Sequence, residues 1–176
     1  MPEDSAHASS GCATSLLPAP QATVLGFDVG QRRTGVALGN VLSGARALAV
    51  INMYAHGADW VALDRLFQQW LPQGLIVGDP LTLAGQDQPI RQQAHAFARQ
   101  LQQRYHLPVA LVDERSSSME ATRWFAAERS AGRKRRRDAA QLDATAAAII
   151  VQRWLNAPLH ATPLAPAPVT ELSTSD

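Results

Sequence analysis

Apolar positions between Thr23 and Leu155 fall into short blocks, and the spacing inside the blocks changes from one to the next. Thr23 to Val29 is a compact apolar run closed by Gly30, the pattern of a buried strand. Gln31-Arg32-Arg33 makes a turn, and Thr34 to Leu38 follows closely enough to form a hairpin with it. After a second turn at Ser43-Gly44, Ala45 to Met53 reads as a third strand. Trp60, Leu63, Leu66, Phe67 and Trp70 then recur at helical spacing, and Pro72 ends that helix. Leu75-Ile76-Val77 is a brief buried strand closed by Gly78 and Pro80. Residues 87–105 return to helical spacing, with Ile90, Ala94, Phe97 and Leu101 on one face. Val109 to Val112 is another buried strand, residues 116–128 read as a helix, and Ala139 to Leu155 as the last one.

Three strands in a meander, followed by alternating helices and strands, predict an α/β domain. Its mixed β-sheet of about five strands carries helices on both faces. Residues 1–21 are rich in Ala, Ser and Pro without periodicity. Residues 157–176 repeat that character, with Pro158, Pro163, Pro166 and Pro168 set against both helix and sheet. Both ends are therefore expected to be disordered tails around an ordered domain at 22–156, and no internal repeat is visible.

Composition changes this picture little. Of 176 residues 46% are hydrophobic and 18% charged, and the net charge is +1, so overall charge points to no class of partner. Its distribution does, because Arg133, Lys134, Arg135, Arg136 and Arg137 stand in one run. Cys12 is the single cysteine, which excludes an intrachain disulfide framework or thiolate metal site and points to a reducing compartment. No stretch reaches the roughly 20 apolar residues of a membrane helix. With Glu3 and Asp4 and no basic leader at the start, a cytoplasmic location is expected.

The candidate chemistry lies in acids. Asp28 ends an otherwise apolar strand, where an ionised carboxylate is costly unless a metal or hydrogen bonds compensate it. A turn aspartate bonded to nearby amides is the plainer reading. Asp113 and Glu114 end a second strand, with Arg115 beside them as a local ion-pair partner. Open α/β sheets bind ligands at the carboxyl ends of their strands, so two strands ending in acids weigh more than one. Asp143 shares a helix face with Ala147, Ile150 and Trp154, which should point it inward at the sheet. An acid early in a helix also suits the dipole, but that explains its position along the helix and not its azimuth. Ala144, Ala146, Ala147 and Ala148 would let this helix approach closely. Three acids converging from distant segments suit hard, oxygen-seeking cations such as Mg2+, two of which can drive phosphodiester cleavage.

At this point Gly26-Phe27-Asp28-Val29-Gly30-Gln31-Arg32-Arg33-Thr34-Gly35-Val36-Ala37 resembles the opening motif of the YqgF/RuvX family. These are ribonuclease-H-like proteins described as Holliday junction resolvases and as pre-16S rRNA nucleases. The resemblance continues through Ile76-Val77-Gly78-Asp79-Pro80-Leu81 with Gly85, then Val112-Asp113-Glu114-Arg115-Ser116, and ends at Leu142-Asp143-Ala144. It implies a ribonuclease-H-like fold, Asp28, Glu114 and Asp143 as catalytic acids and metal ligands, and Mg2+ or Mn2+ as cofactor. Asp113 is an alternative second ligand. The implied substrate is structured nucleic acid, foremost the 5′ side of precursor 16S rRNA. Asp79 departs from the family, which has an apolar residue between this Gly and Pro, and is expected to join the acids as a fourth ligand or metal-tuning group.

The 133–137 run precedes the helix of Asp143 and is expected to clamp a phosphate backbone, with Arg32, Arg33 and Arg115 as closer contacts. His7, His56, His95, His106 and His160 show no ligand spacing, with His95 and His106 expected on a helix surface or end. Trp60, Trp70, Trp124 and Trp154 fall at helical positions and are expected in the core. A two-domain phosphotransferase needs more chain than this. A junction resolvase, which should be a symmetric dimer, and a non-catalytic ribosome-assembly factor stay open beside the nuclease. A monomer or weak homodimer without membrane association is expected.

Overall fold

In the computed structural model, residues 16–81, 89–114 and 138–165 are described. Strand β1 (Val24–Val29) shows why the chain forms a two-faced sheet. Leu25, Phe27 and Val29 point into one apolar cluster, and Val24 points into another on the opposite side. Such period-two alternation with both sets apolar belongs to a strand covered on both faces.

β1 pairs antiparallel with β2 (Arg33–Asn40), and β2 with β3 (Gly44–Tyr54), giving the expected meander. A two-residue strand, β4 (Gly57–Ala58), folds back on the end of β3. Helix α1 (Trp60–Trp70) starts where the Asp59 carboxylate accepts the Ala62 amide at 3.1 Å and stops at Leu71, whose φ of 45° precedes Pro72. The chain re-enters the sheet as β5 (Gly74–Asp79), parallel to β1. Helix α2 (Pro89–Tyr105) ends at His106 with a φ of 54°. β6 (Val109–Asp113) lies parallel to β5, and α3 (Asp138–Asn156) crosses back over the sheet. Observed boundaries fall within about two residues of those expected, the usual uncertainty of element ends. The helix expected at 116–128 lies outside the described residues, as do Gly85, Arg115, Trp124 and the 133–137 run.

The sheet order is β4-β3-β2-β1-β5-β6-β7, seven strands where about five were expected. The additions are the two-residue strands β4 and β7 (Thr162–Pro163), too short for a hydrophobic pattern to announce. β7 also corrects the expected boundary at 156. After a 3-10 turn at Pro158–His160, Ala161 and Leu164 are buried and Thr162 and Pro163 pair with β6. Pro163 fits there because an edge strand leaves one row of amides unused. At the other end Leu17 packs on the core, so the structured chain starts before residue 22.

Helices cover both faces, as expected. Leu63, Phe67, Phe97 and Leu101 from α1 and α2 meet Leu25, Phe27, Leu75 and Val77 on one side. Ala147, Ile150, Val151 and Trp154 of α3 meet Val24, Ala37, Ile76 and Ala110 on the other. Phe27 and Phe97 stack edge-to-face at 5.5 Å and join α2 to the central strand. Trp154 is in the core and Trp60 and Trp70 pack against it, as their spacing predicted. Among the described residues no helix is long and apolar enough to cross a membrane.

Candidate active site at the carboxyl edge of the sheet

The parallel strands β1, β5 and β6 end at one edge, and each ends in or next to an acid. Asp28 shares its face of β1 with Val24 and Gly26, the face covered by α3. Its cross-strand partner is Gly35 of β2. A Cβ built on Gly35 would collide with the Asp143 carbonyl and the Ala144 amide, so this glycine lets the α3 backbone settle directly on β2. That contact brings Asp143 beside Asp28. The second acid is placed by a second glycine. Glu114 directly follows β6, its amide donates to the Asp79 carbonyl at 3.1 Å, and its carboxylate lies where a Cβ on Gly78 would stand. Ile150 of α3 borders the same space. Asp28, Glu114 and Asp143 thus converge on the α3 side of one sheet edge.

Burial and like charge set their electrostatics. Burial, helped by the neighbouring Asp143 charge, pushes the Asp28 carboxyl up to about 6. Glu114 is pushed up to about 8 by burial, then by Asp28, Asp79 and Asp113, against the opposing pull of Arg153. Asp143 is raised by burial despite its 3.1 Å ion pair with Arg33. Neighbouring acids that resist ionisation need positive charge, and an all-oxygen donor set suits a hard divalent cation. Among the described residues no three acidic, histidine or cysteine side chains form a group able to hold a metal ion, and Asp143 is turned to Arg33. The donor chemistry fits such an ion, with Asp143 engaged elsewhere.

Of the adjacent pair Asp113 and Glu114, strand alternation sends Glu114 to the face of Asp28. Asp113 pairs with Asp79 in register, and its carbonyl accepts from Arg153 Nη1 at 2.8 Å. Asp79, expected as a fourth ligand or metal-tuning group, is set apart from Asp28, Glu114 and Asp143. It follows Gly78 by one residue and so points to the opposite face, toward α2. There Arg91 Nε and Nη2 donate to its two oxygens at 2.7 and 3.1 Å, and His95 Nε2 lies 2.9 Å from Oδ1. Burial alone would push this carboxyl up, but the bonds from Arg91 and His95 outweigh burial and leave it below the usual carboxylate range. Its charge is satisfied by protein, though it still repels Glu114. Arg32 is exposed in the β1–β2 turn, and Arg33 opens β2.

Three side chains at this edge escaped the sequence reading: Arg91, His95 and Arg153. His95 is half-buried and engaged rather than on a free helix surface. Its four-residue spacing from Arg91, beside the buried Ala94 and Phe97 stripe, was the available signal. Arg153 stands one position from the buried Trp154, where a polar residue ordinarily faces solvent.

A mixed sheet of this order, helix-covered on both faces, with acids at the ends of β1 and β6 and on the crossing helix, defines a protein of the ribonuclease-H-like fold. A solved structure described as "T. thermophilus RuvC in complex with Holliday junction substrate" aligns with a TM-score of 0.51 at 18% identity. The alignment covers 81% of this chain and 99% of that one. The family model described as "RuvX: Holliday junction resolvase" matches residues 22–157, and the chain belongs to that family. A relative from Xanthomonas euvesicatoria pv. vesicatoria is 67% identical over 146 residues, covering 82% of this chain and 94% of its own. One from Xanthomonas axonopodis pv. citri is 68% identical over 144 residues, covering 81% and 93%. Both relatives carry the name "Putative pre-16S rRNA nuclease".

Proposed function

We propose that this protein is a divalent-metal-dependent endonuclease acting on structured nucleic acid, with the 5′ side of precursor 16S rRNA as its substrate. The observation that carries this reading is the pairing of half-buried Asp28 and Glu114, each raised in part by neighbouring acids at the carboxyl edge of the sheet. Asp28, Glu114 and Asp143 are the residues that would hold Mg2+ or Mn2+. When bound, such an ion would supply activation of water and neutralisation of charge on the scissile phosphate. The protein's own part is positioning. Gly35 and Gly78 leave room for the α3 backbone and the Glu114 carboxylate. Arg33 holds Asp143 by an ion pair half open to solvent, which a phosphate can replace as the guanidinium's partner. Arg32 projects from the adjacent turn as a phosphate contact. Arg115 and the 133–137 run complete the expected backbone clamp.

The names of the relatives favour ribosomal RNA, and the description of the family model favours a branched DNA junction on the same chemistry. The deciding experiment incubates wild type and Asp28→Asn with a 5′-extended 16S precursor and, separately, a four-way DNA junction, in manganese, magnesium or EDTA. Metal-dependent RNA cutting that Asp28→Asn lacks is the expected result. Paired nicks in the junction alone would transfer the activity to DNA. RNA binding without cutting of either would make the protein an assembly factor. Work in solution on a monomer or weak homodimer is expected throughout.

A further inference from the structure

Helix α2 presents Arg91, His95 and Arg99 at four-residue intervals, which places them along one side of the helix about 6 Å apart in rise. Together with Gln92 they line a polar cleft of about 220 Å³. Arg91 and His95 are anchored on Asp79, at the carboxyl end of β5. Arg99 is exposed and pairs with no acid among the described residues. Because α2 runs back against β5, the row starts at the acidic edge and leads away from it, reaching Arg99 roughly 12 Å further on. The first turn of α2 is also tied to the β1–β2 turn, where Gln93 Nε2 donates to the Gly30 carbonyl at 3.1 Å, next to Arg32.

We propose that this row is a phosphate-binding ridge that guides a nucleic-acid strand between the acidic edge and the far end of α2. Asp79 serves it as a positioning residue, holding the Arg91 fork and the His95 ring at the head of the row, from which the exposed Arg99 extends. Gln92 adds a neutral donor. The ridge carries no base-reading geometry, so it contributes affinity and strand direction independent of sequence. This inference rests on the nuclease reading and extends it to a surface that none of the acids defines.

The test measures binding of full-length protein to two single-stranded RNAs, in calcium to hold back cutting, over a series of salt concentrations. One RNA is long, and the other is too short to span from the acidic edge to Arg99. Arg99→Ala should weaken the long RNA about two- to fivefold, the scale of an exposed ion pair. It should lower the salt slope by about 0.7, as expected for one lost single-strand phosphate contact. The short RNA should be unaffected, and Arg99→Lys should restore the slope. Unchanged affinity and slope for the long RNA would overturn the ridge while wild-type binding and cutting left the nuclease reading intact. Wild-type protein that binds neither RNA would remove both.

Discussion

Glu114→Gln offers the sharpest physical test of the acidic edge, because it should make the metal-free protein more stable while abolishing its chemistry. The Glu114 carboxyl titrates near 4.5 in an unfolded chain and is pushed up to about 8 in the fold. A raised acid binds its proton more tightly in the folded state, so folding stability falls as pH rises from 4.5 and levels off above about 8. At 1.36 kcal/mol for each pH unit across that interval, ionising Glu114 costs the fold about 5 kcal/mol at full extent. Local relaxation and water entry reduce this, and half of it would still exceed the error of a denaturation curve. Glutamine keeps the shape and a polar end without the charge. The assay is urea unfolding in EDTA at pH 5 and at pH 8.5. Wild type and variant should differ little at pH 5, and the variant should be more stable by about 2–5 kcal/mol at pH 8.5. Adding magnesium at pH 8.5 should narrow the gap by stabilising wild type alone. A gain of equal size at both pH values, or wild-type stability that climbs between pH 5 and 8.5, would refute the reasoning.

Two glycines separate backbone from side-chain crowding. Gly35→Ala drives a methyl into the Asp143 carbonyl, which cannot rotate away, so α3 must lift from β2. A loss of about 1–3 kcal/mol or more by thermal or urea unfolding is expected, together with loss of cleavage. Gly78→Ala meets the movable end of Glu114 and the Ile150 Cδ1 at 2.7 Å, so stability should fall by only about 1 kcal/mol. Cleavage should fall on the order of 100-fold as Glu114 is displaced. Trp154→Ala empties a fully buried site under α3 and should cost about 3–5 kcal/mol, read as a shift in the urea midpoint.

The elements were legible in the sequence wherever burial had a period. Trp60 to Trp70 and Ala139 to Leu155 could be placed because one stripe of each helix must leave water, and Asp143 could be aimed inward because it lies on the Ala147, Ile150 and Trp154 stripe. β4 and β7 were illegible for the opposite reason. Two residues carry no period, and what orders Thr162 and Pro163 is the free edge of β6, a partner far away in the chain.

The limit is sharper for the acids themselves. Gly78-Asp79 and Asp113-Glu114 are both short polar strand ends, yet successive residues of a strand face opposite ways. The first pair puts a glycine on the α3 side and its acid on the α2 side; the second puts Asp113 on the α2 side and Glu114 on the α3 side. Composition at the strand end cannot tell these apart, because the choice depends on which neighbour covers which face. Once α3 is placed over Gly35 and Gly78, alternation alone divides the acids. Asp28 and Glu114 join Asp143 where Arg33 and Arg153 still leave the carboxyls raised, while Asp79 meets Arg91 and His95 and is neutralised within the fold. The two faces of one edge therefore differ, one holding carboxyls that burial and like charge keep from ionising and the other a carboxylate kept charged by its own Arg91 and His95.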